Sequence, residues 1–262
     1  MRNRRHLGVA LAGMAIFAAL AILVAPIPFL RGKPVHLSLD DFSAAFADLS
    51  ATRSESAYGH PTFRWLKSMH DATGAKFTLY TYARAGEWKI GDVPPNIWNE
   101  LAEGGWIKVG FHAARPESKN EDSAELREAF ADFEKAVPRE LQAKALRLHY
   151  WHASSGDVLF LRTKGAHTLF TADNDVASYS LPPEANDSLR TVQCLFRDSL
   201  IYERTDFRTE QSFFAIFAVW SHLRDDWLVI FTHEWALNRW NAVMFWILVL
   251  YLALYGCIFI AE

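Results

Sequence analysis

Seven short β-prone runs recur along this chain and alternate with longer segments of helical character. The runs cover residues 35–39, 76–82, 106–111, 145–151, 167–171, 192–196 and 227–232. Between them, residues 61–72 and 122–141 carry apolar side chains at helical spacing. This alternation is typical of β/α units around a parallel sheet. We therefore predict the α/β class with a (β/α)7-type barrel. A doubly wound open sheet is the alternative, because periodicity does not reveal closure.

The composition limits which partners the chain can bind and which side chains could hold a metal. Hydrophobic residues make up 51% of the chain and charged residues 22%, which favours a packed core over disorder. With 27 basic and 30 acidic residues and no basic run beyond the first few positions, we predict no nucleic-acid partner. Only two cysteines occur, so any metal must be held by histidines and carboxylates.

Two long uncharged runs lie near the ends of the chain, at residues 7–30 and 242–261. Each is longer than the ~18 residues that a membrane-spanning helix requires. They predict an N-terminal transmembrane helix within residues 1–30, a domain at 31–240 and a C-terminal transmembrane helix at 241–262. The basic N-terminus then predicts an inner-membrane protein with a periplasmic domain. A cleaved signal peptide and a buried helix of the domain are the respective alternatives.

Reactive side chains collect where the predicted strands end. They are Asp40, Asp41, His112, His149, His152, Asp173, Asp175, His233 and Glu234. In α/β barrels the loops at the C-terminal ends of the strands build the active site. A single histidine at a strand end is more often a surface residue. Because several separate strand ends carry such residues, we predict that these side chains converge on one active-site mouth of the barrel.

Four short motifs then carry a family resemblance. They are HLSLDD at residues 36–41, VGFH at 109–112, RLHYW at 147–151 and IFTH at 230–233. In this order they resemble the motifs of polysaccharide deacetylases of the NodB-homology type, and in particular a divergent branch that ends in Phe-Thr-His-Glu-Trp. The resemblance covers residues 35–234. It implies a deacetylase-like barrel and a hydrolase that removes an N- or O-acetyl group from a glycan.

The resemblance also implies roles for individual residues. Asp40 would be the catalytic base and Asp41 a metal ligand. His112 would be a second metal ligand, and His233 the catalytic acid. Arg147 would orient Asp40 and keep it ionised.

The chain departs from the family pattern at two positions. The residue four after His112 is Pro116, where the family has a second metal-binding histidine, and His149 stands where the family has proline. We interpret this as a ligand that has moved to His149. Asp41, His112 and His149 would then bind a divalent metal, most simply Zn²⁺ with an open position for water. Loss of the metal site is the alternative.

Substrate-binding side chains are predicted around the same mouth: Tyr150, Trp151, Asp173, Asp175 and Glu234. Asp173 and Asp175 would alternatively orient a ligand histidine. The predicted spans would hold the mouth near the membrane, so the predicted partner is a membrane-proximal glycan, such as a lipid-linked sugar or a polymer leaving the envelope polysaccharide synthesis machinery. The rival hypotheses are a glycoside hydrolase that pairs Asp41 with Asp175 or Glu234, and an inactive glycan-binding or scaffold subunit.

Overall fold

A computed structural model describes residues 27–173, 176–211 and 215–262. Its strands are β1 (Pro34–Asp40), β2 (Phe77–Tyr82), β3 (Arg84–Ala85), β4 (Trp88–Lys89), β5 (Ile107–Ala113), β6 (Ala145–Leu146), β7 (Thr168–Thr171), β8 (Cys194–Arg197), β9 (Leu200–Arg204), β10 (Phe207–Arg208), β11 (Leu228–His233) and β12 (Ile258–Ile260). Its helices are α1 (Ile27–Leu30), α2 (Ala44–Ala51), α3 (Pro61–Thr73), α4 (Pro95–Gly104), α5 (Ser123–Ala136), α6 (Ser155–Thr163), α7 (Pro183–Ser188), α8 (Ala215–Ser221) and α9 (Arg239–Leu254).

The strands form a larger and a smaller sheet, together with the hairpin β3–β4. The larger sheet has the order β10-β11-β1-β2-β5, with β12 also paired to β1, and the smaller has the order β6-β7-β9-β8. Every pairing within these two sheets is parallel except β8 with β9. The prediction of a mixed α/β fold with a parallel sheet is therefore confirmed.

The two sheets face each other around a shared interior. On one side they meet at a single parallel bridge between Val109 and Gln142. On the other side the chain passes directly from β9 of the smaller sheet to β10 of the larger. Tyr80 and Val229 of the larger sheet and Phe170 of the smaller sheet form one buried cluster in the centre. The strands thus enclose a core as two arcs, and not as the single continuous barrel sheet that was predicted.

Two strands of the structure differ from the strands that the sequence predicted. Residues 192–196 were predicted as a parallel strand, but β8 is an antiparallel edge strand, and β9 occupies the parallel position beside β7. Asp198 and Ser199 both have positive φ and make the tight turn that joins β8 to β9. The predicted strand at 145–151 ends after Leu146, because the chain turns at His149–Trp151 with Tyr150 and Trp151 in the left-handed region.

Helix α5 shows how local sequence signals set an element. The Asp122 carboxylate accepts hydrogen bonds from the backbone N–H groups of Ala124 (2.9 Å) and Glu125 (3.2 Å), which caps the helix. The apolar face of the helix, including Phe133, is buried against the sheet side of the molecule. The helix ends at Ala136, earlier than predicted, because Pro138 disfavours helical geometry in the residue before it.

The C-terminal apolar run does not form one long helix. Helix α9 has 16 residues and is followed by a turn at Gly256, after which β12 pairs with residues Pro34 to His36 of β1. Phe245 on α9 is fully buried and its ring lies 5.7 Å from that of Trp65. The apolar character of α9 therefore reflects packing within the domain.

Among the residues that the structure describes, no helix combines the length and the apolar character that a membrane crossing demands. The predicted C-terminal transmembrane helix at 241–262 is wrong. The two-span topology and the inner-membrane location that depended on it are contradicted as well. The first predicted span, at residues 7–30, lies almost wholly outside the described residues, which begin with the short helix α1.

Candidate active site

Asp40 is the last residue of β1 and Asp41 follows it, and their two carboxylates contact different neighbours. Asp40 is paired in register with His233 at the end of β11, so these two residues share the C-terminal edge of the larger sheet. Asp41 has a φ of 57°, in the left-handed region that non-glycine residues rarely adopt outside strained or functional sites. The backbone turn at Asp41 separates two groups of side chains, one around each carboxylate.

The first group consists of Asp41, His112 and His149. The Asp41 Oδ1 atom lies 3.2 Å from His112 Nε2 and 3.7 Å from His149 Nε2. One potential ligand atom from each residue lies within 4.8 Å of the other two. The structure therefore brings together the three side chains that the sequence analysis selected as a metal-binding set.

The backbone fixes the orientation of both imidazoles. His112 Nδ1 lies 2.5 Å from the carbonyl oxygen of Arg147, and His149 Nδ1 lies 2.9 Å from that of Ser118. Because a carbonyl oxygen only accepts, each Nδ1 carries the hydrogen and each Nε2 faces Asp41. Metal-binding histidines characteristically use one ring nitrogen as the ligand and donate from the other in this way.

A loop residue supports this arrangement from behind. The Asn120 side-chain amide donates to the carbonyl oxygens of His112 (3.4 Å) and His149 (3.3 Å). It therefore ties together the two segments that carry the imidazoles. Asn120 itself has a φ of 56°, so the loop adopts a costly backbone conformation to reach this position.

The electrostatics favour an ionised carboxylate beside a neutral imidazole. Burial acts to raise the pKa of Asp41, but its interaction with the imidazole of His112 and the hydrogen bond from Tyr82 outweigh burial and hold that pKa well below its usual range. Burial and the nearby His112 together lower the pKa of His149 to about 4. His149 is therefore neutral near neutral pH and has a free lone pair.

Two further side chains hold Asp41 and were missed by the sequence analysis. The Tyr82 hydroxyl donates to Asp41 Oδ1 and lies 3.2 Å from His149 Nε2. The Trp235 indole N–H donates to Asp41 Oδ2 at 2.8 Å. Tyr82 ends β2, so the strand-end rule used for the other residues would have found it. Trp235 lies two residues after the end of β11, just beyond the strand end.

The second group surrounds Asp40, which is buried. Arg147 Nη1 donates to Asp40 Oδ1 at 3.0 Å and to Ser38 Oγ at 2.6 Å. Arg147 Nη2 donates to Thr205 Oγ1 at 3.3 Å, and the guanidinium lies 4.4 Å from the centre of the Phe231 ring. Arg147 is thus positioned to orient Asp40, as the family resemblance implies, while its backbone carbonyl orients His112.

His233 forms a pair with a carboxylate that the sequence analysis also missed. His233 Nδ1 lies 2.5 Å from Glu210 Oε1. Burial acts to lower the pKa of His233, but the hydrogen bond to Glu210 and the negative charge of Asp40 raise it above its usual value. Glu210 comes from a short turn, Thr209–Gln211, that carries no recognisable motif. The pair gives a histidine that stays protonated to higher pH and keeps Nε2 free.

The predicted substrate-binding residues occupy different surroundings. The Tyr150 side chain is 53% exposed, and its ring lies 4.2 Å from that of His149. Trp151 is half-buried beneath the Arg208 guanidinium, at 5.4 Å. Asp173 forms a two-point ion pair with Arg208, at 2.7 and 2.5 Å, which engages both of its carboxylate oxygens.

The remaining two acidic residues of the predicted set are Asp175 and Glu234. Asp175 lies outside the described residues. The Glu234 carboxylate accepts hydrogen bonds from three backbone N–H groups at the start of α2. A role in substrate binding stays a prediction for Asp175, and the geometry gives Glu234 a structural role.

Comparison with known proteins adds no assignment. The sequence matches no known protein-family model and no curated protein. The resemblance to polysaccharide deacetylases therefore rests on the four short motifs.

Proposed function

We propose that this chain is a metal-dependent hydrolase that removes an acyl group from a carbohydrate. The observation that carries the proposal is the set of Asp41, His112 and His149, with both Nε2 atoms turned toward the carboxylate. Three acceptor atoms this close together are stabilised by a proton or a metal cation between them. The proposal does not include a membrane-bound substrate, since the span on which that idea rested is wrong.

The donor set fits a divalent first-row metal. One carboxylate and two imidazoles, with each imidazole oriented by a backbone carbonyl, are the ligands of open catalytic zinc sites. When bound, such an ion supplies Lewis acidity to the acyl carbonyl and lowers the pKa of water. We propose Zn²⁺ on this ligand chemistry.

Asp40 is proposed as the general base. Its carboxylate is buried and held by the Arg147 guanidinium at 3.0 Å, so it has a fixed direction. It directly precedes Asp41 in the chain, which keeps it close to the proposed metal-binding set. Asp40 would accept the proton of the attacking water, and Arg147 would balance the charge of the carboxylate until that transfer.

His233 is proposed as the general acid. Its Nδ1 atom is engaged by Glu210, so the proton available for transfer is the one on Nε2. The raised pKa of His233 keeps this proton bound near neutral pH. The leaving amine or alkoxide would take it as the tetrahedral intermediate collapses.

Exposed aromatic rings support a carbohydrate as the substrate. Trp235 is 70% exposed, stacks on His233 at 4.9 Å and is hydrogen-bonded to Asp41. Tyr150 lies exposed against His149. Both rings thus border the candidate site and offer flat apolar faces on which a sugar ring can pack.

A glycoside hydrolase is less well supported. Such an enzyme needs two available carboxylates across the scissile bond. Glu234, one of the candidate partners of Asp41, has its carboxylate occupied by three backbone N–H groups. The experiment described next distinguishes the proposed hydrolase from an inactive glycan-binding subunit.

The test measures metal content and acetate release on the full-length chain. We expect about one zinc per wild-type chain, with strong loss in His112→Ala and His149→Ala. His152→Ala is the matched control, because it removes a neighbouring histidine outside the set. Acetate release from acetylated chito-oligosaccharides should stop with a chelator and return with zinc.

Other outcomes would refute specific parts of the proposal. Metal loss in His152→Ala but not in His149→Ala would show that the third ligand is misassigned. Bound metal without acetate release would favour the glycan-binding subunit. Chelator-resistant release of reducing sugars would favour the glycoside hydrolase, and wild-type protein that binds no metal would overturn the metal site itself.

A further inference from the structure

A second cavity lies at the opposite end of the strands from the candidate active site. Its volume is about 350 Å³. Pro34, Thr168 and Leu228, which are the first residues of β1, β7 and β11, lie on its wall. Asp40 and His233, the last residues of β1 and β11, lie at the other edge of the sheet. The cavity is therefore separate from the proposed hydrolytic site.

The walls are mainly apolar and aromatic. Phe170, Ile201, Trp227 and Ile260 supply much of the surface. Sites for small ligands are typically apolar cavities of ~300–1,000 Å³ with a few polar groups that fix the ligand. This cavity lies at the small end of that range.

His36 is a buried polar group without a partner on this wall. Its side chain belongs to a residue that is only 2% exposed, and its ring packs 4.5 Å from that of Phe170. Within the described part of the chain, neither ring nitrogen has a hydrogen-bond partner. Burial and the charge of Arg147 together lower the pKa of His36 to about 3, so the ring is neutral and keeps an unused lone pair. Buried polar atoms without partners are rare in folded proteins and point to a missing ligand or water.

Two carboxylates, those of Glu203 and Glu262, lie on the same wall. Burial, together with the nearby carboxylates of Glu262 and Asp206, raises the pKa of Glu203 to about 8 against the opposing charge of Arg147. Glu203 and Glu262 both line the cavity, and among the described lining residues there is no lysine or arginine. The cavity thus collects acceptors without supplying a cation.

We propose that this cavity binds a small organic ammonium ion, that is, a protonated primary amine with a short apolar tail. An ammonium group has three N–H donors, and the carboxylates of Glu203 and Glu262 and the lone pair of His36 are three acceptors. The tail would pack on Trp227 and Phe170, whose ring faces also attract cations. An anion would be repelled by Glu262 and would oppose ionisation of Glu203, and a neutral molecule would leave Glu203 protonated and form no ion pair with either residue. This proposal does not depend on the proposed hydrolase activity.

Calorimetric titration of the full-length chain with 2-phenylethylamine tests the proposal. We expect saturable binding near neutral pH, and binding of 2-phenylethanol, its neutral analogue, that is at least about tenfold weaker. Glu203 is protonated in the free protein near neutral pH, so pairing with the ammonium should release its proton. The measured heat should therefore change with the ionisation enthalpy of the buffer.

Variants of the chain show whether the amine binds in this cavity. Glu203→Gln should weaken amine binding by at least about tenfold and abolish the buffer dependence. Glu87→Gln is the matched control, because it removes the same charge from an exposed position outside the cavity. Circular dichroism of each variant checks that the fold is kept.

Several results would overturn the proposal. These are equal binding of the amine and the alcohol, unchanged amine binding in a folded Glu203→Gln variant, and the absence of amine binding at tens of millimolar. If Glu203→Gln does not fold, the comparison of amine with alcohol and the proton release in the wild-type protein still decide the question.

Discussion

Replacing Glu234 with alanine should destabilise the fold by about 2–4 kcal/mol, without removing any residue of the proposed metal site. Glu234 Oε2 accepts from the backbone N–H groups of Ser43 (2.9 Å) and Ala44 (2.8 Å), and Oε1 accepts from that of Ala45 (2.8 Å). Helix α2 has no side-chain cap of its own, since the Ser43 hydroxyl makes no capping bond. A residue far along the chain therefore caps α2.

The magnitude follows from how each bond is exposed. The Ala44 N–H is exposed and can be hydrated, so its loss costs little. The Ser43 and Ala45 bonds are only partly buried, so each contributes about 1–2 kcal/mol, toward the lower end of the range for a charged acceptor. Glu234→Gln keeps one oxygen for Ser43 and Ala44 but turns its NH₂ group toward the Ala45 N–H. It should therefore cost about half as much as the alanine variant, ~1–2 kcal/mol.

Urea unfolding of the full-length chain measures the effect. With a slope of ~3 kcal/mol per molar, the midpoint should fall by ~1 M in Glu234→Ala and by roughly half of that in Glu234→Gln. Glu87→Ala, at an exposed turn, is the control and should change stability by less than ~0.5 kcal/mol. Unchanged midpoints in both Glu234 variants would refute the capping role. If such variants instead raised KM for a glycan, Glu234 would be the substrate-binding residue that the sequence predicted.

Three further predictions address catalysis and packing. Asp40→Asn should keep the fold and the metal content but lower kcat by ~10²–10⁴-fold, measured by acetate release, because the base is lost while the shape remains. Wild-type activity in this variant would contradict the mechanism. Glu210→Gln should lower the pKa of His233, so the loss of activity at high pH should begin at lower pH, because the general acid must be protonated. An unshifted alkaline limb would exclude this pairing. Gly110→Ala should destabilise the core by ~1–3 kcal/mol in thermal unfolding, since an added Cβ would lie 2.4 Å from the Tyr80 ring. A neutral result would mean that the ring can move aside.

The central strands could be predicted because their sequence signals are local. Strands β1, β2, β5, β7 and β11 were placed within about two residues, since each is a short apolar run bounded by polar or turn residues. Strand β9 was missed because it is short and contains charged residues. Its pairing partners were set by the turn at Asp198 and Ser199.

The C-terminal error shows what composition alone does not resolve. Twenty uncharged residues satisfy the length of a membrane span, and α9 is apolar on most of its surface. The turn at Gly256 divides this run, and a glycine in the left-handed region is a helix-ending signal that the hydropathy pattern outweighed. Only the pairing of β12 with β1 reveals that the run belongs to the domain.

Part of the candidate site could be predicted from the sequence because its residues lie at or next to strand ends, which local patterns reveal. Asp41 and His112 end strands, and the structure brings them together with His149. Tyr82 could have been found by the same rule. Glu210 and Asn120 could not, because their contacts depend on the three-dimensional path of loops that carry no repeating pattern.

The pairing of β1 has a consequence for how the chain reaches its native state during synthesis. Its first residues, Pro34 to His36, pair with β12, and the strand pairs with β11 along nearly its whole length. These partners are made long after β1 itself. At ~5–20 residues per second, β1 would wait on the order of ten seconds or more with an open, hydrophobic edge. Such an edge is prone to join other chains, so the nascent protein should depend on chaperones that shield β1 until the last strands leave the ribosome.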